Sequence, residues 1–555
     1  MLATVWEALT LIPGVMPTRD PRNELSSVSV RGFSAPFNSG NIKILLNNVP
    51  MSREGSGLGS QVLALPIGQV ARIEFIRGPG AVLYGDFAYN GVLNVLTRKD
   101  QSSVFSRLNE NGTVTAGGVY SQPETAESAG FSINLAGLQG DDVEAREGAR
   151  GEDRQGSAIA SFNYRGWRLS GQIIDREYDH QNLENSNQNA TVKEYTEAFE
   201  VRHDFEMSNE AVAALYVSYL GNDYEAGARR FSGHILRGNA ELSWPIMAGH
   251  RLLLQGSYSF AHIDEAFQPG FGGNPGVDQN EINRRYYGIS MQDQYDITDR
   301  LTVTAGLRFD HRDDLNYERI TPRLSAVWRI TDQHIFKAQY AEGYRAPTFW
   351  EIYPANTAID IDPANIYTTE ISYINRVPDR VMRLTMFHSR LDDLIVPTGP
   401  PEFSFANQGA SRSAGIELEW EQQWSPIFKT WFNVSYADTR RELPGSSDAA
   451  SSEDPSTTDW LANLALFYRV SDQALITAHW NYVGERHAEN VETSPEHRLG
   501  LTLNLFDLGI EGLTLRLGVR NALHTDQRYL TSFPTGVANS NFSDSLIWGQ
   551  LDFNF

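Results

Sequence analysis

Three pairs of adjacent carboxylates, Asp141-Asp142, Asp313-Asp314 and Asp392-Asp393, are the side chains best suited to general acid–base work. Such work needs two carboxyl groups facing one bond. Neighbours on a strand point to opposite faces and those in loops are solvated, so the pairs do not compose an active site. His487 and His497 lack the spacing of a metal site. The absence of cysteine excludes disulfides, thiolate zinc sites and a cysteine nucleophile. A different pattern surrounds Glu417 and Glu419, which alternate with Ile416 and Leu418, so a strand presents both carboxylates on one polar face. Glu370 sits in a similar strand-like string, 368–371 (TTEI). This is the chemistry of binding rather than of bond breaking.

Composition narrows the setting. The chain has 555 residues, 41% of them hydrophobic and 21% charged, enough to bury a large core. A net charge of -23 with no basic run excludes nucleic acid as a partner. No apolar run approaches the length of about eighteen residues that a helical membrane span needs, and the mean hydropathy is -0.38. A β-barrel stays open, because a polar lumen face dilutes the average. Residues 1–15 (MLATVWEALTLIPGV) have no basic start and no small-x-small cleavage site, and Glu7 interrupts the apolar run, so they are not a secretory signal. Thr4 and Glu7 stand at capping-box spacing and Pro13-Gly14 stops the helix, which predicts a short helix of about two turns inside a folded domain.

The elements change character near residue 100. Before it, short apolar runs alternate with glycine-rich stretches such as 54–60 and 78–85, the pattern of a small α/β domain with loops. After it, segments such as 301–309 (LTVTAGLRF), 499–505 (LGLTLNL) and 513–520 (LTLRLGVR) alternate apolar and polar side chains, marking two-faced strands. From residue 220 onward the connections alternate between short (245–251, 296–300, 331–334, 377–380, 425–429, 471–474, 507–511) and longer (263–281, 312–318, 343–365, 393–412, 441–456, 485–495, 522–544). A soluble sandwich has no reason for this. An outer-membrane barrel does, with tight turns at one rim and long loops at the other. Roughly twenty to twenty-two strands of about ten residues are predicted. Trp244, Trp328, Trp424 and Trp548 fall near strand ends, where aromatic girdles form.

Particular strings then carry a resemblance. Residues 27–33 (SVSVRGF), 43–51 (KILLNNVPM), 72–85 (RIEFIRGPGAVLYG) and 91–99 (GVLNVLTRK) resemble, in order, the plug of TonB-dependent outer-membrane receptors. Residues 341–353 (AEGYRAPTFWEIY), 405–421 (FANQGASRSAGIELEWE) and 518–529 (GVRNALHTDQRY) resemble the barrel of that family. The implied fold is mainly β: a large antiparallel transmembrane β-barrel of about 22 strands (101–555) filled by an N-terminal α/β plug domain (1–100). Gly32, Gly78, Gly80 and Gly85 are expected where the plug turns sharply or approaches the wall, and Pro79 stiffens the turn. The resemblance further implies that Arg31 and Arg77 lock onto Glu370 and Glu417.

The function implied is active uptake of a scarce nutrient across the bacterial outer membrane, with no covalent chemistry and no intrinsic cofactor. The cargo expected is a metal chelate, foremost a ferric siderophore; haem and cobalamin are alternatives within the family, and a passive porin-like barrel is the alternative outside it. Residues 1–100 argue against the porin. No histidine lies between Pro347 and Asn365 or before His180, which weighs against haem. Candidate ligand contacts are Phe37, Arg53 and Tyr84 in the plug loops, with Phe349, Trp350 and Tyr353 on a long loop. The partners implied are TonB with ExbB-ExbD, outer-membrane lipid and lipopolysaccharide around a monomer. The signal peptide and the TonB-binding box of the family are missing ahead of Met1, so the plug is expected to be N-terminally incomplete, as in a fragment or a chain with a misplaced start.

Overall fold

A two-faced strand is satisfied only with hydrogen-bonded neighbours on both edges, and closing the sheet on itself supplies them. Among the described residues, 22 antiparallel strands close into one barrel. The last, Leu546–Asn554, pairs with the first, Ser103–Asn109, so that Trp548 lies opposite Asn109 and Asn554 opposite Ser103. The computed structural model describes the chain except for residues 1, 19–26, 35–39, 147–148, 181–189, 208–209, 271–275, 316, 355–357, 399–403, 443–456, 489–490, 526, 529–540 and 543–544.

The barrel is apolar outside and polar inside. Ile289 (68% exposed), Ile371 (57%), Leu324 and Met386 lie on its outer surface, whereas Asn134, Gln172, Thr196, Ser413 and Asn433 are buried in the lumen. A soluble surface rarely carries a continuous apolar band of this kind; a lipid-facing one requires it. Trp244, Trp328 and Trp424 are exposed beside tight turns, as a girdle demands. Trp548 departs from that expectation. It shares the inward face of its strand with Gln550 and Asp552 and is 3% exposed, its ring lying 4.2 Å from the Arg107 guanidinium carbon.

The expected short turns close one rim; between the strands Arg229–Met247 and His250–Pro269, for example, only two residues intervene. The predicted long loop at 263–281 is mostly strand. His250–Pro269 and Gly276–Thr298 stay paired up to Pro269 opposite Gly276. Backbone pairing does not stop at the membrane surface, and the inward residues Ile263, Ala266 and Val277 find an apolar partner in Phe349. The loop at 343–365 carries a one-turn helix, Phe349–Ile352, with a capping box between Thr348 and Glu351. The loop at 393–412 folds into the hairpin Ile395–Thr398 with Ser404–Asn407. Residues 443–456 and most of 526–544 lie outside the described residues.

Inside the barrel, the N-terminal helix spans Val5–Leu9, shorter than the two turns expected. Thr4 caps it, accepting from the Glu7 amide, while the Glu7 carboxylate accepts from the amide of Ala3. A four-stranded sheet follows in the order Val49–Pro50, Lys43–Leu46, Gly91–Thr97, Val70–Arg77, with the central pair parallel. Its apolar core, including Leu9, Leu46, Val62, Leu65 and Leu93, continues into Ile174, Ala198, Leu220 and Ala261 of the barrel wall. Plug and wall therefore share one core on that side.

Candidate functional site

The strand Ser27–Val30 ends in a turn in which Arg31 takes φ 53° and Gly32 φ 78°. The left-handed backbone at Arg31 is held at both ends: its amide donates to Gly14 O at 2.7 Å, and its carbonyl accepts from Ser413 Oγ at 2.7 Å. Gly32 lies against the wall so closely that a Cβ there would sit 1.9 Å from Thr439 Oγ1. This turn aims the Arg31 side chain at the strand Ala410–Ser425.

Arg31 Nε donates to Glu417 Oε1 at 3.0 Å and Nη2 to Oε2 at 3.1 Å, while Nη1 donates to Glu370 Oε1. Its guanidinium carbon also lies 4.4 Å from the centroid of the Phe387 ring. Arg77, at the end of the strand Val70–Arg77, donates from Nη1 to Glu417 Oε2 at 2.7 Å and from Nη2 to Glu419 Oε1 at 2.6 Å. Glu417 is 1% exposed and receives both arginines. Burial alone would draw the Arg31 guanidinium down, but Glu417 and Glu370 outweigh it and hold the cation above its ordinary range. Gly78, with φ 84°, brings the backbone within 3.2 Å of Glu370 Oε1, measured from the place a Cβ would occupy. Pro79 packs toward Gly343, Gly80 toward Val92 and Gly85 toward Arg308. Glu419 joins the two arginines and the two glutamates expected to pair; its place on the Glu417 face was legible in the alternation.

A second cluster occupies the plug apex. Arg53 donates from Nη1 to Glu194 Oε1 at 3.0 Å and from Nη2 to Ser60 Oγ at 2.9 Å. Glu54 accepts from Arg284 and Tyr286 of the wall. Asp86 accepts from Arg312 Nη1 at 2.8 Å and from the Ala346 amide at 2.9 Å, tying the plug to the loop after the strand His334–Arg345. Lys43 Nζ donates to the carbonyls of Tyr84 (2.6 Å) and Asp86 (3.1 Å). Phe349 is fully buried against Phe231 and offers no surface to a ligand as the loop stands; Trp350 and Tyr353 are half-buried beside it. Tyr84 is half-buried on a lumen cavity. Phe37 lies outside the described residues. Glu54 and Asp86 lie in the plug loops 52–59 and 84–90 expected to meet the ligand, though neither was singled out; Arg284, Tyr286 and Arg312 were missed, their only signal being polar alternation on strands.

A sheet-containing domain ion-paired into the lumen of a 22-stranded barrel is a specific arrangement. Residues 2–92 match the family described as TonB-dependent Receptor Plug Domain, and residues 100–522 match TonB dependent receptor-like, beta-barrel. The chain belongs to the TonB-dependent receptors. Membership places this receptor in the bacterial outer membrane, in a family of transport receptors that act with TonB. The receptor is similar to the vitamin B12 transporter BtuB of Vibrio vulnificus, at 23% identity over 601 residues, covering 98% of this chain and 89% of that protein. In fold it is similar to the siderophore receptor PirA from Acinetobacter baumannii, with a TM-score of 0.82 and 15% identity over 100% of this chain and 96% of the other. It is similar also to a mutant of the ferric enterobactin receptor PfeA from Pseudomonas aeruginosa, with a TM-score of 0.79 and 19% identity over 100% and 96%. The FrpB iron transporter from Neisseria meningitidis gives 0.77 and 14% over 100% and 97%.

Proposed function

We propose that the receptor takes up a scarce metal chelate, foremost a ferric siderophore, and that TonB with ExbB-ExbD supplies the energy by loosening the plug. In this reading residues 1–100 form the working plug, residues 101–555 form a monomeric channel set in outer-membrane lipid and lipopolysaccharide, and Arg31, Arg77, Glu370 and Glu417 form the lock. The observation that carries it is the Arg31–Glu417–Arg77 triad. A barrel this wide leaks if open. A plug fastened by ion pairs keeps it shut, yet opens without breaking a covalent bond. The siderophore assignment draws on the iron-related neighbours PirA, PfeA and FrpB. The test is uptake of radioactive iron from a panel of ferric siderophores by iron-starved cells that carry this receptor alone, with and without TonB. TonB-dependent accumulation from at least one chelate is expected; equal uptake in both backgrounds would sink the reading.

Cobalamin is a second reading, favoured by the similarity to BtuB across nearly the whole chain. The same cells offered labelled cyanocobalamin decide between the two cargoes.

A further inference from the structure

The plug does not meet the wall equally all round. The Arg31 and Arg77 pairs face the strands Ala364–Val377 and Ala410–Ser425, which carry Glu370, Glu417 and Glu419. On another side, where Arg53, Glu54 and Asp86 also bond to the wall, a cavity of about 570 Å³ lies between plug and wall, lined by wall residues from Ser132 to Tyr344. It reaches from Arg168, beside a short turn, to Arg312, at the start of a longer loop. The plug thus touches this wall through its apex loops and its apolar core, with the cavity left between them.

The charge of this gap runs against that of the chain. Among the described residues, eight lysines and arginines line it against five carboxylates, in a protein of net charge -23. Most of those cations already have partners: Arg308 is bonded to Asp310, Arg312 to Asp86 and Asp314, and Arg202 to Asp204 and Glu241. Two differ. Lys43, on the plug, donates to two backbone carbonyls and has no carboxylate in ion-pair reach among the described residues. Arg237, on the wall strand Arg229–Met247, donates to Pro50 O at 3.5 Å and has no carboxylate in ion-pair reach among the described residues. Lys43 feels Arg237 across the cavity as a like charge. Two cations on facing walls of a polar cavity, neither held in an ion pair, leave donors open to anionic oxygen.

We propose that Lys43 and Arg237 form an anion-binding subsite within the lumen, which takes carboxylate or phosphate oxygens carried by the transported solute as it passes the plug. The proposal deepens the uptake reading and rests on it for the solute's passage: it assigns the solute an anionic group and the path this cavity. Lys43 contributes from the moving element and Arg237 from the fixed one, so displacement of the plug would separate the pair and release what it holds.

The test uses the full chain purified in detergent, with citrate as the probe and sorbitol as an uncharged control, followed by calorimetric titration. Citrate binding is expected in the unaltered protein, weakened about ten-fold or more by R237Q and by K43Q. R237Q is the decisive variant, because Lys43 also braces the Tyr84–Asp86 carbonyls. R168Q removes one positive charge from the same cavity and is expected to leave citrate affinity within about two-fold. No citrate binding by the unaltered protein, unchanged affinity in R237Q, or an equal loss in R168Q each overturns the subsite. Failure of the uptake reading shows instead as TonB-independent iron accumulation, which this titration does not measure.

Discussion

Arg31 meets Glu417 edge-on, Nε to Oε1 at 3.0 Å and Nη2 to Oε2 at 3.1 Å, across a sequence separation of 386 residues. The fork-on-fork geometry uses both carboxylate oxygens, and Arg77 Nη1 shares the second of them. Removing either partner leaves a buried charge short of its compensation: Glu417 would keep only Arg77, and Arg31 only Glu370, so each single loss costs more than its share of deleting both.

Glu417→Ala is therefore expected to destabilise the docked plug by about 3–5 kcal/mol, and Arg31→Ala by a similar amount. The double variant should lose clearly less than the sum. Urea titration of the folded receptor, read by protease cleavage of the plug while the barrel keeps its heat-modifiable gel mobility, measures all three. Additive losses would show that the two side chains are not coupled.

Gly32→Ala forces a Cβ into Thr439 Oγ1 and places it on a left-handed backbone. The steric part should be partly relieved in G32A/T439A. The backbone part, about 1–2 kcal/mol, should persist. Full recovery in the double variant would show that the left-handed turn carries no cost of its own.

Ile289 faces lipid between Tyr287 and Tyr295, while Ser290 beside it is buried toward the lumen. Ile289→Arg should lower bilayer refolding stability by about 2–4 kcal/mol. The Ser290→Ala change should cost less than half as much, since a small lumen side chain with one hydrogen bond, to Gln255, is lost. Comparable losses at the two positions would contradict the assignment of faces.

Burial, then the facing Arg237, draw the Lys43 ammonium down from 10.5 to about 8; Arg308 adds to this, and Asp86 and Asp310 oppose it without prevailing. Between about 8 and 10.5 the unfolded chain keeps this proton and the folded plug does not. The unfolded state then binds more protons, so plug stability rises with pH across that window. Chemical denaturation at pH 7 and pH 10 should show the unaltered plug gaining stability relative to Lys43→Met. A difference that stays constant with pH would remove Lys43 as the titrating group.

Loosening of the apex is the counterpart to loosening of the lock. Asp86→Ala removes acceptors for Arg312 and for the Ala346 amide. Amide exchange of residues 346–354 should accelerate, with protection of the barrel strands unchanged. Charge-assisted bonds of this kind contribute about 1.5–3 kcal/mol, enough to change local exchange by ten-fold or more. Unaltered exchange would mean that Asp86 does not hold this loop.

What the sequence determined by itself was mostly periodic. Alternation such as 301–309 specifies a two-faced strand, and short turns alternating with longer connections specify a barrel with two unlike rims, because both properties are local to each hairpin. Glu417 and Glu419 could be placed on one face for the same reason. Only the tertiary structure decided which plug arginine meets which carboxylate, since Arg31 and Glu417 come together through closure of the barrel around the plug. The inward turn of Trp548 was set by its register against the first strand, and the strand content of 263–281 by the packing of Ile263, Ala266 and Val277 on Phe349. The lumen cavity, with Lys43 and Arg237 across it, exists only once the plug sits inside a closed ring. No local pattern encodes that cavity, because each of its strand residues follows the ordinary alternation of its own strand.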